Sequence, residues 1–131
     1  MRSKIELIFA FFVLLVLACA VGKAIKDRLP PPHKVESGIL FQYQNPAARQ
    51  VQLCGNFNNW CGTKDTGGIL DPSVGIMSDS DGDGVWEIIV ELPPGRYQYK
   101  FVTDRVSWTM DPCNPNTDFE DGIENSLLIV K

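Results

Sequence analysis

The sequence predicts an all-β sandwich, and three observations carry the prediction. Short runs alternate apolar and polar residues with the period of two that a half-buried strand requires. Turn residues punctuate the runs, at Asn45-Pro46, Asp81-Gly82-Asp83-Gly84 and Pro93-Pro94-Gly95, because proline presets φ and glycine admits positive φ. The segment with this pattern, residues 37–131, is roughly 95 residues long, enough for one hydrophobic core.

Residues 1–36 read as something other than this domain. Arg2 and Lys4, the apolar run Ile8–Ala18 and then Cys19 have the order of a bacterial export signal over residues 1–19. The apolar run is shorter than the ~20 residues that span a bilayer, which disfavours a retained anchor. Val16-Leu17-Ala18-Cys19 reads as a lipobox, with Cys19 the residue that is lipidated. Ordinary cleavage within Ala18-Cys19-Ala20 is the competing reading. Acyl chains contribute about 0.8 kcal/mol per buried CH₂, so lipidation would tether the protein to a membrane by its anchor alone. Residues 20–36 contain Pro30-Pro31-Pro32 and no hydrophobic period, as in an extended linker. His33, the sole histidine, falls there and reads as solvated.

Within the domain, Ile39, Phe41 and Tyr43 share one face of a first strand. In a second strand, Arg49–Leu53, Val51 and Leu53 point inward and Gln50 and Gln52 outward. Residues 61–75 read as loop, with a weak strand at Ile69-Leu70. The run Asp79-Ser80-Asp81-Gly82-Asp83-Gly84 resembles the opening of an EF-hand loop, but its twelfth position is Val90 rather than glutamate. A hairpin turn explains it equally, and no metal site is assigned. Val85–Leu92 is the most regular strand, with Trp86, Ile88, Val90 and Leu92 on the core face. Arg96–Thr103 returns with Tyr97, Tyr99 and Phe101 inward and Gln98 and Lys100 outward. Asn114–Gly122 reads as loop, and Asn125–Val130 as the last strand.

Charge and cysteines narrow the function classes. Residues 37–131 hold six basic and thirteen acidic residues, a net −7. An acidic domain without a basic stripe argues against nucleic acid and against an electrostatic membrane surface. Cys54, Cys61 and Cys113 allow one disulfide and one thiol in an oxidising compartment. Cys61–Cys113 is the first expectation, since both lie in loops beside tryptophan-bearing turns; Cys54–Cys61 and Cys54–Cys113 stay open. No histidine and no C-x-x-C spacing within 37–131 speaks for zinc.

Trp60 is the residue least explained by a core. It ends the polar turn Asn56–Asn59, and so large an apolar side chain either folds back as a lid or offers a flat platform to a ligand.

The ordered set Gly55-x-Phe57-Asn58-x-Trp60, Gly84-Val85-Trp86-Glu87, Leu92-Pro93-x-Gly95-x-Tyr97-x-Tyr99-Lys100-Phe101, Asp104, Trp108, Asp111-Pro112 and Asn125 resembles carbohydrate-binding module family 48. These are the glycogen-binding domains of AMP-activated protein kinase β subunits and of branching and isoamylase-type enzymes. The resemblance implies an immunoglobulin-like β-sandwich of the early-set type. It also implies an α-1,4-glucan face built from Trp60, Lys100, Trp108 and Asn125. A pyranose stacks its C–H face on indole, while lysine and asparagine bond hydroxyls. Two departures stand out: Asp121 and Ile123 replace a leucine and a threonine that add contacts in kinase-type members, and one extra residue separates Asp104 from Trp108.

The leading expectation is therefore a non-catalytic, exported, lipid-anchored module of the bacterial cell envelope that binds glycogen, starch or maltodextrin and needs no cofactor. The rival is a protein-interaction or structural envelope module with the same fold. Accessibility of both Trp60 and Trp108 on one face favours the first; burial of either favours the second. An enzyme is disfavoured, since residues 37–131 hold no phosphate loop, nucleophile elbow or histidine base.

Overall fold

The computed structural model describes residues 29–131; residues 1–19, read above as an export signal ending in Cys19, and the residues read as linker up to 28 lie outside them. Two antiparallel sheets face one another. The smaller sheet is ordered β1-β2-β4, from His33–Val35, Gly38–Gln44 and Val85–Val90. The larger is ordered β3-β5-β8-β7, from Val51–Gly55, Gly95–Thr103, Ile123–Val130 and Thr117–Glu120; β6, Ser107–Thr109, also pairs with β5.

Period-two alternation sets which side chains meet between the sheets. Ile39, Phe41 and Tyr43 of β2 pack on Val51 and Leu53 of β3, Tyr99 and Phe101 of β5, and Met77 and Val130. Phe41 meets Tyr99 edge-on with ring centroids 5.1 Å apart, and Tyr43 stacks on Phe101 at 4.6 Å. Such pairs add about 0.5–1.5 kcal/mol beyond the area they bury. Trp86 packs half-buried against this core and donates its indole N–H to the Asn45 carbonyl at 3.0 Å, as its strand position predicts.

A buried polar cluster closes one end of the core. The Tyr99 hydroxyl donates to Asp111 Oδ2 (2.7 Å) and accepts from Asn114 Nδ2 (3.0 Å), while Asp111 N–H donates to Ser126 Oγ (2.8 Å). Burial raises the Asp111 carboxyl above its ordinary range, against the lowering effect of the bonds from Tyr99 and the Cys113 N–H. Burial likewise pushes the Tyr99 phenol far up.

Several elements depart from the alternation reading. Residues 33–35 lie in the segment read as linker, yet pair with β2, so the sheet begins inside it. Residues 117–120 form β7 rather than loop. β6 and β7 are edge strands of three and four residues, too short to show a period. Ile69-Leu70 is not a strand, and a helical turn, α1 (Thr63–Thr66), precedes it. Among the described residues no helix is long and apolar enough to cross a membrane.

Candidate functional site

The outer face of the larger sheet gathers the residues that the core leaves over. Cross-strand partners project to the same face, and the register opposes Cys54 to Lys100, Val102 to Trp108, Gln98 to Leu127, and Asp118 to Asn125. Lys100, Trp108 and Asn125 are thus outward by strand geometry.

Trp60 reaches the same face through its turn. After Gly55 the chain makes a 3-10 turn, Asn56–Asn58, that sends Phe57 inward against Phe41 and Tyr97. A side chain at Gly55 would run into the Phe57 ring and come within 2.6 Å of the Gln98 carbonyl, so only glycine fits. Asn59, Trp60 and Cys61 then follow with φ of 53°, 53° and 56°. Left-handed backbone costs a non-glycine residue roughly 1–2 kcal/mol, and three in succession need support. Asn58 supplies it: its Oδ1 accepts from Gly55 N–H (3.0 Å) and Cys61 N–H (3.1 Å), and its Nδ2 donates to the Leu53 carbonyl (2.9 Å).

A disulfide joins Cys54 to Cys61, with Cα atoms 5.0 Å apart. The expected Cys61–Cys113 pair is therefore incorrect. Cys54 projects outward from β3 directly beneath the returning turn, whereas Cys113 is a half-buried thiol in the loop that the Tyr99–Asp111 cluster holds. Closing so short a loop stabilises the fold by about 2–3 kcal/mol in the chain-entropy account. Cys54, Trp60, Cys61 and Val102 make a second small core on the outer face, with Leu70 and Val74 against it. Gln52 lies beneath the same loop and pins it, donating to the Asp71 and Val74 carbonyls at 2.9 Å.

Trp60, Lys100, Trp108 and Asn125 line one concavity of about 310 Å³, together with Thr63 and Lys64 from α1 and Glu120, Asp121 and Ile123 from the β7–β8 hairpin. The two tryptophans differ sharply in exposure, 8% for Trp60 and 42% for Trp108. Trp60 is chiefly an anchored wall whose indole N–H donates to Glu120 Oε2 at 3.1 Å. Trp108 presents the open ring. Asn125 is buried, its Nδ2 donating to Gln98 Oε1 (2.9 Å) and the Ile123 carbonyl (3.3 Å). Lys100 makes no ion pair among the described residues, while Lys64 and Asp121 approach to 3.8 Å across the rim. The motif reading missed Glu120. The available signal was Asp118 and Glu120 at alternate positions, which as a strand beside β8 fall on the face of Asn125.

The acidic turn is a hairpin device. Asp79 Oδ2 accepts from Gly84 N–H (3.0 Å) and Asp83 Oδ1 from Val85 N–H (2.9 Å). The carboxylates of Asp79, Asp81 and Asp83 converge within 4.8 Å. The side-chain bond with Asp83 raises the Asp81 carboxyl, and the bond from Val85 N–H lowers that of Asp83. His33 is exposed in β1.

Residues 38–131 match the family model described as the glycogen recognition site of AMP-activated protein kinase. The chain is 34% identical over 83 residues to the pig 5'-AMP-activated protein kinase subunit beta-1, covering 63% of this chain and 56% of the relative. It is 28% identical over 112 residues to Protein PTST, chloroplastic, of Arabidopsis thaliana, covering 86% and 36%. To Protein FLOURY ENDOSPERM 6, chloroplastic, of rice it is 33% identical over 92 residues, covering 70% and 15%. In each case the match spans well under two thirds of the relative.

Proposed function

We propose that this chain, which belongs to the glycogen-recognition family of AMP-activated protein kinase, binds α-1,4-glucan such as glycogen, starch or maltodextrin and catalyses no reaction. One observation carries the reading: Trp60, Lys100, Trp108 and Asn125, from four separate segments, line a single concavity. The exposed ring of Trp108 suits the apolar face of a pyranose, and the Lys100 ammonium, unpaired among the described residues, can donate to hydroxyls. A neutral polysaccharide meets no electrostatic barrier from an acidic domain.

The burial of Trp60 favours a second reading, a protein-interaction or structural module. In the glucan reading Trp60 anchors the wall rather than stacking a sugar, so one platform does the work. Export by residues 1–19 and lipid attachment at Cys19 in a bacterial envelope belong to the same proposal and rest on the sequence of that segment.

Affinity electrophoresis of the intact chain through gels with and without glycogen tests the function. Retardation of the wild type, reduced roughly 30-fold or more in affinity by Trp108→Ala with the thermal midpoint kept, supports glucan binding. Equal mobility in both gels turns the assignment to the interaction module.

A further inference from the structure

We infer that Glu120 is a sugar-contacting, specificity-determining residue of this site, an inference that rests on the glucan reading. Glu120 lines the concavity with Lys100, Trp108 and Asn125, on a hairpin whose register puts it on the same face as Asn125. Its Oε2 is fixed by the Trp60 indole N–H at 3.1 Å, and that indole is itself immobilised by the disulfide-stapled second core. The carboxylate is therefore oriented before any ligand arrives. Its other oxygen, Oε1, has no hydrogen-bond partner among the described residues.

Glu120 gives the concavity a charged acceptor that is held in place, whereas the Asp121 carboxylate stands on the exposed rim, 3.8 Å from Lys64. Trp108 offers a ring, Lys100 a donor, and Asn125 has its amide nitrogen committed to Gln98 and Ile123. A sugar hydroxyl is both donor and acceptor, so a site that offers a charged acceptor as well as a charged donor uses both of its capacities. A fixed carboxylate in the same concavity as the Lys100 ammonium, unpaired among the described residues, can bond hydroxyls of one ligand as acceptor and donor, and bonds to charged groups are the stronger kind. The ligand class that follows is a neutral, hydroxyl-rich glucan with the bonded hydroxyl intact. The hairpin tip holds this geometry: Asp121 and Gly122 both have positive φ, 52° and 78°, as a two-residue primed turn needs.

Titration calorimetry of the intact chain with maltoheptaose, comparing wild type, Glu120→Ala and Glu120→Gln, tests this, with thermal midpoints recorded alongside. Glu120→Ala should weaken binding roughly 10–100-fold. Glu120→Gln, which keeps an acceptor for the indole N–H, should fall between. A panel of 2-, 3- and 6-monodeoxy maltotriosides gives a readout that a purely structural role would not move. One member should lose about tenfold on the wild type relative to maltotriose and under about twofold on Glu120→Ala. Unchanged affinity in Glu120→Ala, equal losses across the panel in both proteins, or tighter binding by the variant each overturns the inference; the last would make Glu120 a cover over Trp60. A wild type that binds maltoheptaose and loses it with Trp108→Ala keeps the glucan reading even then. A wild type that binds no oligosaccharide overturns both.

Discussion

Trp60 and Trp108 stand on the same sheet face and are held there by opposite means. Trp60 sits on three successive left-handed residues, over a disulfide and Val102, with its indole nitrogen bonded to Glu120. Trp108 sits on a three-residue edge strand opposite Val102, with about five times the fractional exposure of Trp60. One residue is bound into the fold and the other merely displayed by it. In the proposed glucan site the first builds the wall and the second supplies the working surface.

The largest effect that would break this contrast is on stability. Trp60→Ala should cost about 3–5 kcal/mol, the range for truncating a buried aromatic, whereas Trp108→Ala should change stability by less than about 1 kcal/mol. Denaturant titration of both variants checks it, and equal losses would mean that the two indoles share one role.

A smaller effect sharpens how Trp60 is held. Asn58→Ala removes two acceptor bonds and one donor bond within the turn. It should lower stability by about 2 kcal/mol and increase Trp60 quenching by iodide more than Trp108 quenching. Quenching that changes only at Trp108 would show that the left-handed turn does not depend on Asn58.

The smallest effect lies away from both tryptophans, in the Tyr99–Asp111 cluster. Burial raises the Asp111 carboxyl, so the protonated form is favoured in the fold. The stability it contributes is complete below the ordinary aspartate pKa of about 3.9 and is lost as pH rises through the raised value. Wild type should therefore lose stability relative to Asp111→Asn between pH 3 and 7. Asp71 and Asp118, whose carboxyls are lowered by hydrogen bonds from Ser73 and Arg96 respectively, titrate the opposite way in both proteins and cancel in the difference. A flat difference would show Asp111 to be as well solvated in the fold as out of it.

Much of this architecture was legible in the sequence because alternation reports facing directly. Phe41, Tyr43, Tyr99 and Phe101 are inward and Lys100 outward, as period two requires. The family pattern named Trp60, Lys100, Trp108 and Asn125, four of the residues that line the concavity. What stayed hidden depends on contacts distant in sequence. The burial of Gln52 and Cys54 comes from a loop folding back over an outward face that alternation reads as exposed. The disulfide partner of Cys61 follows from that same fold-back. For Trp60 the sequence leaves lid and platform both open, because a polar turn looks alike whether it ends in solvent or over a second small core; the structure buries it as a lid on that core. Glu120 was missed because a four-residue edge strand offers only the one alternation, Asp118 and Glu120, and nothing local says that it pairs with β8.

The most direct test of the central claim uses the three indole N–H signals of Trp60, Trp86 and Trp108 together. In a ¹⁵N-labelled sample titrated with maltoheptaose, the Trp108 signal should shift strongly and saturate. Trp60, bonded to Glu120 at the wall, should shift less with the same midpoint, and Trp86, donating to Asn45 at the far side of the core, should stay still. Three unmoved signals at millimolar maltoheptaose, or a shift confined to Trp86, would contradict a glucan site on this face.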